Sequence, residues 1–148
     1  MFGGVSILSV DNKGRLAVPA KHREVLLRHY SPTLVVTLES NDHLLLYPEK
    51  SWTVVQEKLL KLPTGNPVLK AYQRLVLGYA ESQNMDGSGR LLLPAVLREL
   101  VALNKEVALV GMGNRFELWD IEKWKTQTQE ALAISRDDLA MHLGEFSL

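Results

Sequence analysis

A stretch of fourteen residues occurs twice in this chain, and that repetition restricts the possible folds more than any other property of the sequence. The first copy is Asp11-Asn12-Lys13-Gly14-Arg15-Leu16-Ala17-Val18-Pro19-Ala20-Lys21-His22-Arg23-Glu24. The second, 75 residues later, is Asp86-Gly87-Ser88-Gly89-Arg90-Leu91-Leu92-Leu93-Pro94-Ala95-Val96-Leu97-Arg98-Glu99. Asp, Gly, Arg, Leu, Pro, Ala, Arg and Glu recur at the same eight offsets without a gap. Agreement of that density identifies an internal duplication, so the fold must be one that two similar halves can build together.

The similarity continues past the cassette. Leu46, Tyr47 and Trp52 find Leu118, Trp119 and Trp124 at an offset of 72, three residues having been lost between. Each half then reads as the same series of elements. Val5 to Val10 is an apolar, β-branched run suited to a strand. Asp11 to Gly14 is a turn, because Asp bonds its own downstream backbone and Gly supplies the positive φ of a tight reversal. Leu16 to Val18 resumes the strand. Pro19 suits the first turn of a short helix from Ala20 to His29, where its missing N–H costs nothing.

Thr33 to Glu39 alternates with period two, and Leu44 to Tyr47 pairs back on it across Ser40-Asn41-Asp42 as a hairpin. Glu49 to Leu62 carries Trp52, Val55, Leu59 and Leu62 at helical spacing. Leu62 to Pro67 is strong punctuation, with Asn66 as N-cap and Pro67 as first helical residue of a connecting helix. Its apolar face is predicted at Val68, Ala71, Tyr72, Leu75, Val76 and Tyr79. The second half repeats the pattern with strands over Gly78 to Met85, Lys105 to Val110 and Phe116 to Trp119, and a helix over Ile121 to Ile134. Ser135 to Leu148 is either a short helix or an unstructured tail.

The expected organisation is a first repeat over residues 1–62, a connecting helix over 63–77, a second repeat over 78–134 and a tail over 135–148. The class is α+β with a mainly β core. Strands of about three to seven residues do not make a stable isolated sheet. The halves are therefore expected to interlock around a pseudo-two-fold axis.

Composition excludes several kinds of chemistry. There is no cysteine, so neither disulfides nor thiolate sites are available, and the cytoplasm is the expected compartment. The start, Met1-Phe2-Gly3-Gly4-Val5, lacks the basic segment of a signal peptide, and no apolar run is long enough for a membrane span. His22, His29, His43 and His142 are isolated and lack metal-ligand spacing. No phosphate-binding loop, nucleophile elbow or metalloprotease motif occurs, so the chain does not read as an enzyme, and it implies no cofactor, metal or small-molecule substrate. Ser88 in Gly87-Ser88-Gly89 is not part of the repeated design. Trp52, Trp119 and Trp124 read as packing residues.

Net charge is zero, but its distribution is uneven. Residues 1–30 carry five cations, Lys13, Arg15, Lys21, Arg23 and Arg28, against Asp11 and Glu24, a balance of +3. Residues 126–148 carry Arg136 against Glu130, Asp137, Asp138 and Glu145, a balance of −3. The basic front end directs attention to the first cassette for an anionic partner. Arg15 and Arg90, each just past a tight turn, can fork two hydrogen bonds to guanine or to a phosphate. Spacing leaves a second reading open, in which each arginine simply pairs with Asp11 or Asp86. Lys13, Lys21 and Arg23 add charge to the first cassette, and Gly14 and Gly89 make the reversals. The second cassette has Ser88 for Lys13, and Val96 and Leu97 for Lys21 and His22, so the two arms are expected to be unequal, with Val96 and Leu97 candidates to face a neighbouring subunit.

Asp-x-x-Gly-Arg-Leu-x-x-Pro followed by Arg resembles the AbrB/SpoVT-type swapped-hairpin DNA-binding domain. Two copies, with Met1-Phe2 opening the chain and Leu44-Leu45-Leu46-Tyr47-Pro48 and Phe116-Glu117-Leu118-Trp119 closing the halves, are similar to the MraZ family over nearly the whole length. The resemblance implies a swapped-hairpin, double-psi-like β-barrel made by both repeats and decorated with helices. It implies a nucleoid-associated bacterial transcriptional regulator, usually a repressor, binding G-rich direct repeats in double-stranded DNA upstream of its own division and cell-wall operon. It also implies a ring-like homo-oligomer, and carries the family's Asp-x-x-x-Arg residues onto Asp11 with Arg15 and Asp86 with Arg90. The competing class is a protein-interaction scaffold that uses the same barrel without specific DNA binding.

Overall fold

Each cassette folds as a hairpin followed by a helix in the computed structural model, which describes all 148 residues. The first half comprises β1 (Val5–Ser9), β2 (Arg15–Ala17), α1 (Ala20–His29), β3 (Thr33–Thr37), β4 (Leu44–Pro48) and α2 (Glu49–Leu60). Helix α3 (Pro67–Gly78) leads into the second half: β5 (Glu81–Asn84), β6 (Arg90–Leu92), α4 (Ala95–Leu100), β7 (Glu106–Gly111), β8 (Phe116–Asp120) and α5 (Ile121–Leu132). Helix α6 (Arg136–Leu143) follows, capped by the Ser135 side chain, so the tail contains a short helix. No helix is long and apolar enough to cross a membrane.

The duplication becomes strand exchange. Six strands form an antiparallel sheet in the order β1-β7-β8-β4-β3-β5, and β2 pairs with β6 in a separate ribbon. The opening strand of each half thus leaves its own half, β1 pairing with β7 and β5 with β3. Exchanging equivalent strands reverses the sheet order onto itself. The pseudo-axis can be located from the register. It passes where Leu45 pairs Glu117, residues 72 apart, and where Leu16 pairs Leu91, residues 75 apart. The halves interlock as expected. The sheet, however, is open, with β1 and β5 at its edges, and no closed barrel is present. Each cassette strand is too short to continue the sheet around, and only an isolated Val10–Leu16 bridge ties the ribbon to the first edge.

Nineteen residues form the principal core beneath the ribbon, including Leu16, Leu91, Leu93, Leu34, Val36, Leu109, Phe116 and Leu118. Helices α1 and α4 each drive one leucine into it, Leu26 and Leu97. Leu97 is therefore a core residue of its own chain and not part of an outer face. Its counterpart His22 is buried as well, edge-on to Phe116 at 4.8 Å and to Phe2 at 5.9 Å. Its Nε2 has no partner, and burial pushes the imidazole pKa down, with the Lys21 charge adding to the effect. Strand β3 is covered on both faces. Val35 belongs to a second cluster with Leu45, Tyr47, Trp52, Leu59 and Val76 under α2 and α3.

Two expectations along α3 change. The strand predicted from Gly78 starts only at Glu81, because the helical ladder continues through Gly78 and Tyr79 still donates to the Leu75 carbonyl. The helix is also rotated away from its apolar stripe. Gln73 is buried and donates to the Leu59 carbonyl at 2.9 Å, while Thr37 donates to the Val76 carbonyl at 2.6 Å. These buried bonds set the rotation, since either group left unpaired would carry a desolvation penalty of about 1–3 kcal/mol. Leu75 and Val76 of the predicted stripe turn inward and Tyr72 lies at the edge, donating to Glu39, but Val68 is 75% exposed and Ala71 and Tyr79 face outward.

Candidate nucleic-acid interface

The ribbon places both cassette arginines on one surface. Residues directly opposite in an antiparallel pair share a face, and neighbours along a strand alternate. Arg15 pairs with Leu92 and Arg90 with Ala17, so these four project together. Leu16 and Leu91 project the other way and are fully buried. The inner leucines press the ribbon onto the core, and this holds the arginine face outward. Two residues of strand rise and one strand spacing separate Arg15 from Arg90, about 8 Å between Cα atoms. The hydrogen bonds from Leu93 N to Gly14 O and from Val18 N to Gly89 O extend the pairing to both turns. The turns thus stand at opposite ends of the ribbon, four residues or about 13 Å apart along it.

The two turns are near copies. Asp11 Oδ1 accepts from the backbone N–H of Lys13 and of Arg15, both at 2.9 Å, and Oδ2 accepts from Arg15 Nε at 2.8 Å. Asp86 Oδ1 accepts from Ser88 N at 2.9 Å and Arg90 N at 3.0 Å, and Oδ2 from Arg90 Nε at 2.9 Å. Gly14 and Gly89 close the reversals at φ of 83° and 74°, a region that other residues enter only with strain. The Arg15 backbone N–H does most to hold the Asp11 carboxyl below the usual carboxylate range; the Arg15 guanidinium and the Lys13 N–H add to it, against partial desolvation. Asp86 is lowered in the same way, first by the Arg90 backbone N–H. Both carboxylates therefore stay ionised through neutral pH, and each orients its arginine.

Of the two readings that spacing left open, the Asp–Arg pairs form. They use only Nε, however, and neither guanidinium donates through its terminal nitrogens to another group of the chain. Pairing with Asp and presentation outward are therefore compatible.

The remaining basic candidates are distributed differently from the expectation of one strong arm. Strand β2 carries the chain away from its own turn, so α1 begins at the end of the ribbon where the second turn stands. Arg23 accordingly packs on Gly89, with Nη1 donating to the Ser88 carbonyl at 3.2 Å. Lys21 lies over Gly4 instead, its Nζ 3.1 Å from where a Cβ there would stand. Lys13 remains exposed at the first turn. Lys13, Lys21 and Arg23 are therefore not one cluster. The residue that does join Lys13 and Arg15 is Arg98, whose guanidinium covers Gly14 and whose Nε donates to the Leu93 carbonyl at 3.1 Å. Its signal was present in the sequence, since Arg23 and Arg98 are among the eight repeated positions. Only the strand exchange reveals that each belongs with the opposite turn.

Comparison with known proteins comes to the same repeat. A family model described as "MraZ protein, putative antitoxin-like" matches the chain twice, over residues 1–75 and 76–143. A protein named Transcriptional regulator MraZ from Chromobacterium violaceum is 69% identical over 148 residues, covering all of both chains. Proteins of the same name from Neisseria meningitidis and Nitrosospira multiformis are similar at 50% over 149 residues and 48% over 148 residues. The first comparison covers all of this chain and 99% of the relative, and the second all of both.

Proposed function

The chain belongs to the MraZ family, and we propose that it is a DNA-binding transcriptional regulator, acting as a repressor, which meets duplex DNA with the outward face of the β2–β6 ribbon. One observation carries this reading: a two-stranded ribbon presents two arginines on one face, each oriented by its own aspartate. A two-stranded β-ribbon fits the major groove, and an arginine there forks to guanine O6 and N7, each good contact being worth about 1–3 kcal/mol. Arg15 and Arg90 are the proposed base readers, and Lys13, Lys21, Arg23 and Arg98 supply positive charge around them. Strand exchange between the repeats of residues 1–62 and 78–134 supports a swapped-hairpin reading of the fold, with the ribbon as an arm lying across an open barrel. Guanine preference fits the proposed target, G-rich direct repeats upstream of the protein's own division and cell-wall operon on the nucleoid.

Two arginine contacts bind weakly by themselves, so the reading includes a homo-oligomer that repeats the arm over repeated boxes. An unfilled surface supports it. Beside Glu117, Gln127 and Thr128, a groove of about 400 Å³ has Val110, Met112, Trp119, Trp124, Ala131 and Leu132 as its apolar lining. By the register of the two halves these match Thr37, Glu39, Tyr47, Trp52, Leu59 and Leu60, the surface on which α3 lies in the first half. The second half has no helix there, since α6 buries none of its residues. The polar groups that receive α3, Thr37 and Glu39, are replaced by Val110 and Met112, which makes the second groove more apolar at these positions. A helix from another subunit would fill it, and the outward stripe of α3 is one such surface. Ala131→Glu is expected to reduce the assembly to smaller species by light scattering, with unchanged circular dichroism. An unchanged particle mass would remove the groove from the interface.

Electrophoretic shifts on probes with one, two and three G-rich boxes test the function. Affinity should rise steeply with box number and fall with salt in proportion to phosphate contacts. Equal affinity for all three probes, or for a shuffled sequence, would sink it. In the latter case a pull-down that survives nuclease treatment would point to the scaffold reading.

A further inference from the structure

We infer that Arg23 and Arg98 are positioning residues for the DNA contact, and that each acts on the arm of the opposite repeat: Arg98 holds the turn that presents Arg15, and Arg23 the turn that presents Arg90. The inference rests on the ribbon being the DNA-binding face.

Contact is closest where the glycines leave room. A Cβ on Gly14 would stand 2.7 Å from Arg98 Cζ and Nη2, and one on Gly89 would overlap Arg23 Cδ and stand 2.6 Å from Nη1. The Arg98 guanidinium and the Arg23 Cδ and guanidinium fill space that a side chain on each glycine would occupy. Both arginines are also tied to the backbone next to the turn they cover. Arg98 Nε donates to the Leu93 carbonyl, and Leu93 N donates in turn to Gly14 O. Arg23 Nη1 donates to the carbonyl of Ser88, inside the second turn. The two glycines therefore have two tasks, a positive φ and an open face for the arginine of the other half.

Such a brace matters because, apart from one cross-strand bond each, Leu93 N to Gly14 O and Val18 N to Gly89 O, the turns are held only locally. Each Asp bonds groups within four residues of itself, and such exposed local bonds fix the shape of a turn but not its placement on the core. The arginine supplies the tie from turn to helix, Arg98 from α4 and Arg23 from α1. An arginine reader must be held within about 0.5 Å of its productive position, so loss of a brace at this distance costs affinity without any loss of a DNA contact. Arginine suits the role, because its side chain packs on a glycine while a nitrogen of its rigid fork donates to a carbonyl, a fixed geometry that a lysine ammonium does not offer.

Crossed double-mutant cycles on the full-length protein test this, with binding read on a three-box probe. Arg98→Ala should weaken binding about tenfold in the native background and little further in Arg15→Ala, yet keep its full effect in Arg90→Ala. Arg23→Ala should show the mirror pattern, dependent on Arg90 and independent of Arg15. Arg98→Met and Arg23→Met, which keep the apolar stem, guard against loss of folding and should behave as the alanines do. Coupling within a repeat, Arg23 to Arg15 or Arg98 to Arg90, would overturn the proposal, as would simple additivity in all four cycles. Backbone amide spectra of the DNA-free protein give a separate readout. Arg98→Met should move the Gly14 resonance and leave Gly89 in place, and Arg23→Met the reverse. If Arg15→Ala and Arg90→Ala both leave DNA affinity intact, the DNA reading fails, and the glycine resonances then decide the bracing. Movement of both glycines by either variant, or of neither, would overturn it.

Discussion

Arg15→Ala should weaken binding to G-rich repeats by about tenfold or more, leaving only the weaker specific binding that Arg90 retains, while the protein keeps its fold and assembly. The size follows from the contact and its repetition. One bidentate arginine–guanine pair contributes about 1–3 kcal/mol, and a bound oligomer loses that amount at every engaged arm. Stability should barely change. The Arg15 side chain is partly exposed and its one hydrogen bond is to Asp11, an exposed pair of the kind worth about 0–1 kcal/mol. After its removal Asp11 still accepts the Lys13 and Arg15 backbone N–H groups, which keep the turn. Arg15→Lys separates charge from geometry: it should retain most of the salt dependence and lose discrimination between G-rich and shuffled boxes. An unfolding midpoint for Arg15→Ala well below that of the native protein, or a change in particle mass, would show that the arginine serves the fold instead.

What the sequence disclosed about this arm depended on range. Local signals were sufficient for the turns, because Asp11 and Gly14 act within four residues, and the same chemistry recurs at Asp86 and Gly89. The helix start at Asn66-Pro67 was equally legible, the Asn66 side-chain Oδ1 accepting from Val68 N and Leu69 N. The sequence placed Arg15 and Arg90 just past tight turns. It left open whether they face outward or only pair with Asp11 and Asp86, and the ribbon register decides their shared face. Partnership across the halves did not follow. Arg23 sits eight residues from Arg15 in the chain, and proximity in sequence suggested one basic cluster. Strand β2 instead carries the chain to the far end of the ribbon before α1 starts, and the neighbour of Arg23 is Gly89. The apolar stripe of α3 misled for a similar reason. Its periodicity identified a helix, but the face turned inward was chosen by hydrogen bonds from Thr37 and Gln73, partners 39 and 14 residues away. The open sheet was hidden too, since the lengths of β2 and β6 are decided by where α1 and α4 must begin.

The largest expected loss of stability is at the point where the two halves meet. Leu16 and Leu91 pair directly across the pseudo-axis, neither exposes any surface, and both belong to the nineteen-residue core. Replacing either by alanine removes buried apolar volume at a place the backbone cannot easily collapse to fill. The pair sits on paired strands from both repeats, and Leu93, Leu97 and Leu26 belong to the same core. The expected cost is about 2–5 kcal/mol for each single substitution, out of a total stability of about 5–15 kcal/mol for a typical domain. Symmetry sharpens the prediction. The two sites occupy equivalent positions in one core, so Leu16→Ala and Leu91→Ala should shift the urea midpoint by similar amounts, and the double substitution should fall short of their sum because the two cavities merge. Leu59→Ala, in the six-residue cluster under α2 and α3, offers an internal comparison outside the axis and should leave the ribbon in place. The two ribbon leucines should behave otherwise. Their loss frees the strands that carry Arg15 and Arg90, so DNA affinity should drop even in urea-free buffer, where most molecules remain folded. A loss below about 1 kcal/mol at either leucine, or a large inequality between them, would mean that the repeats are not held together through this pair.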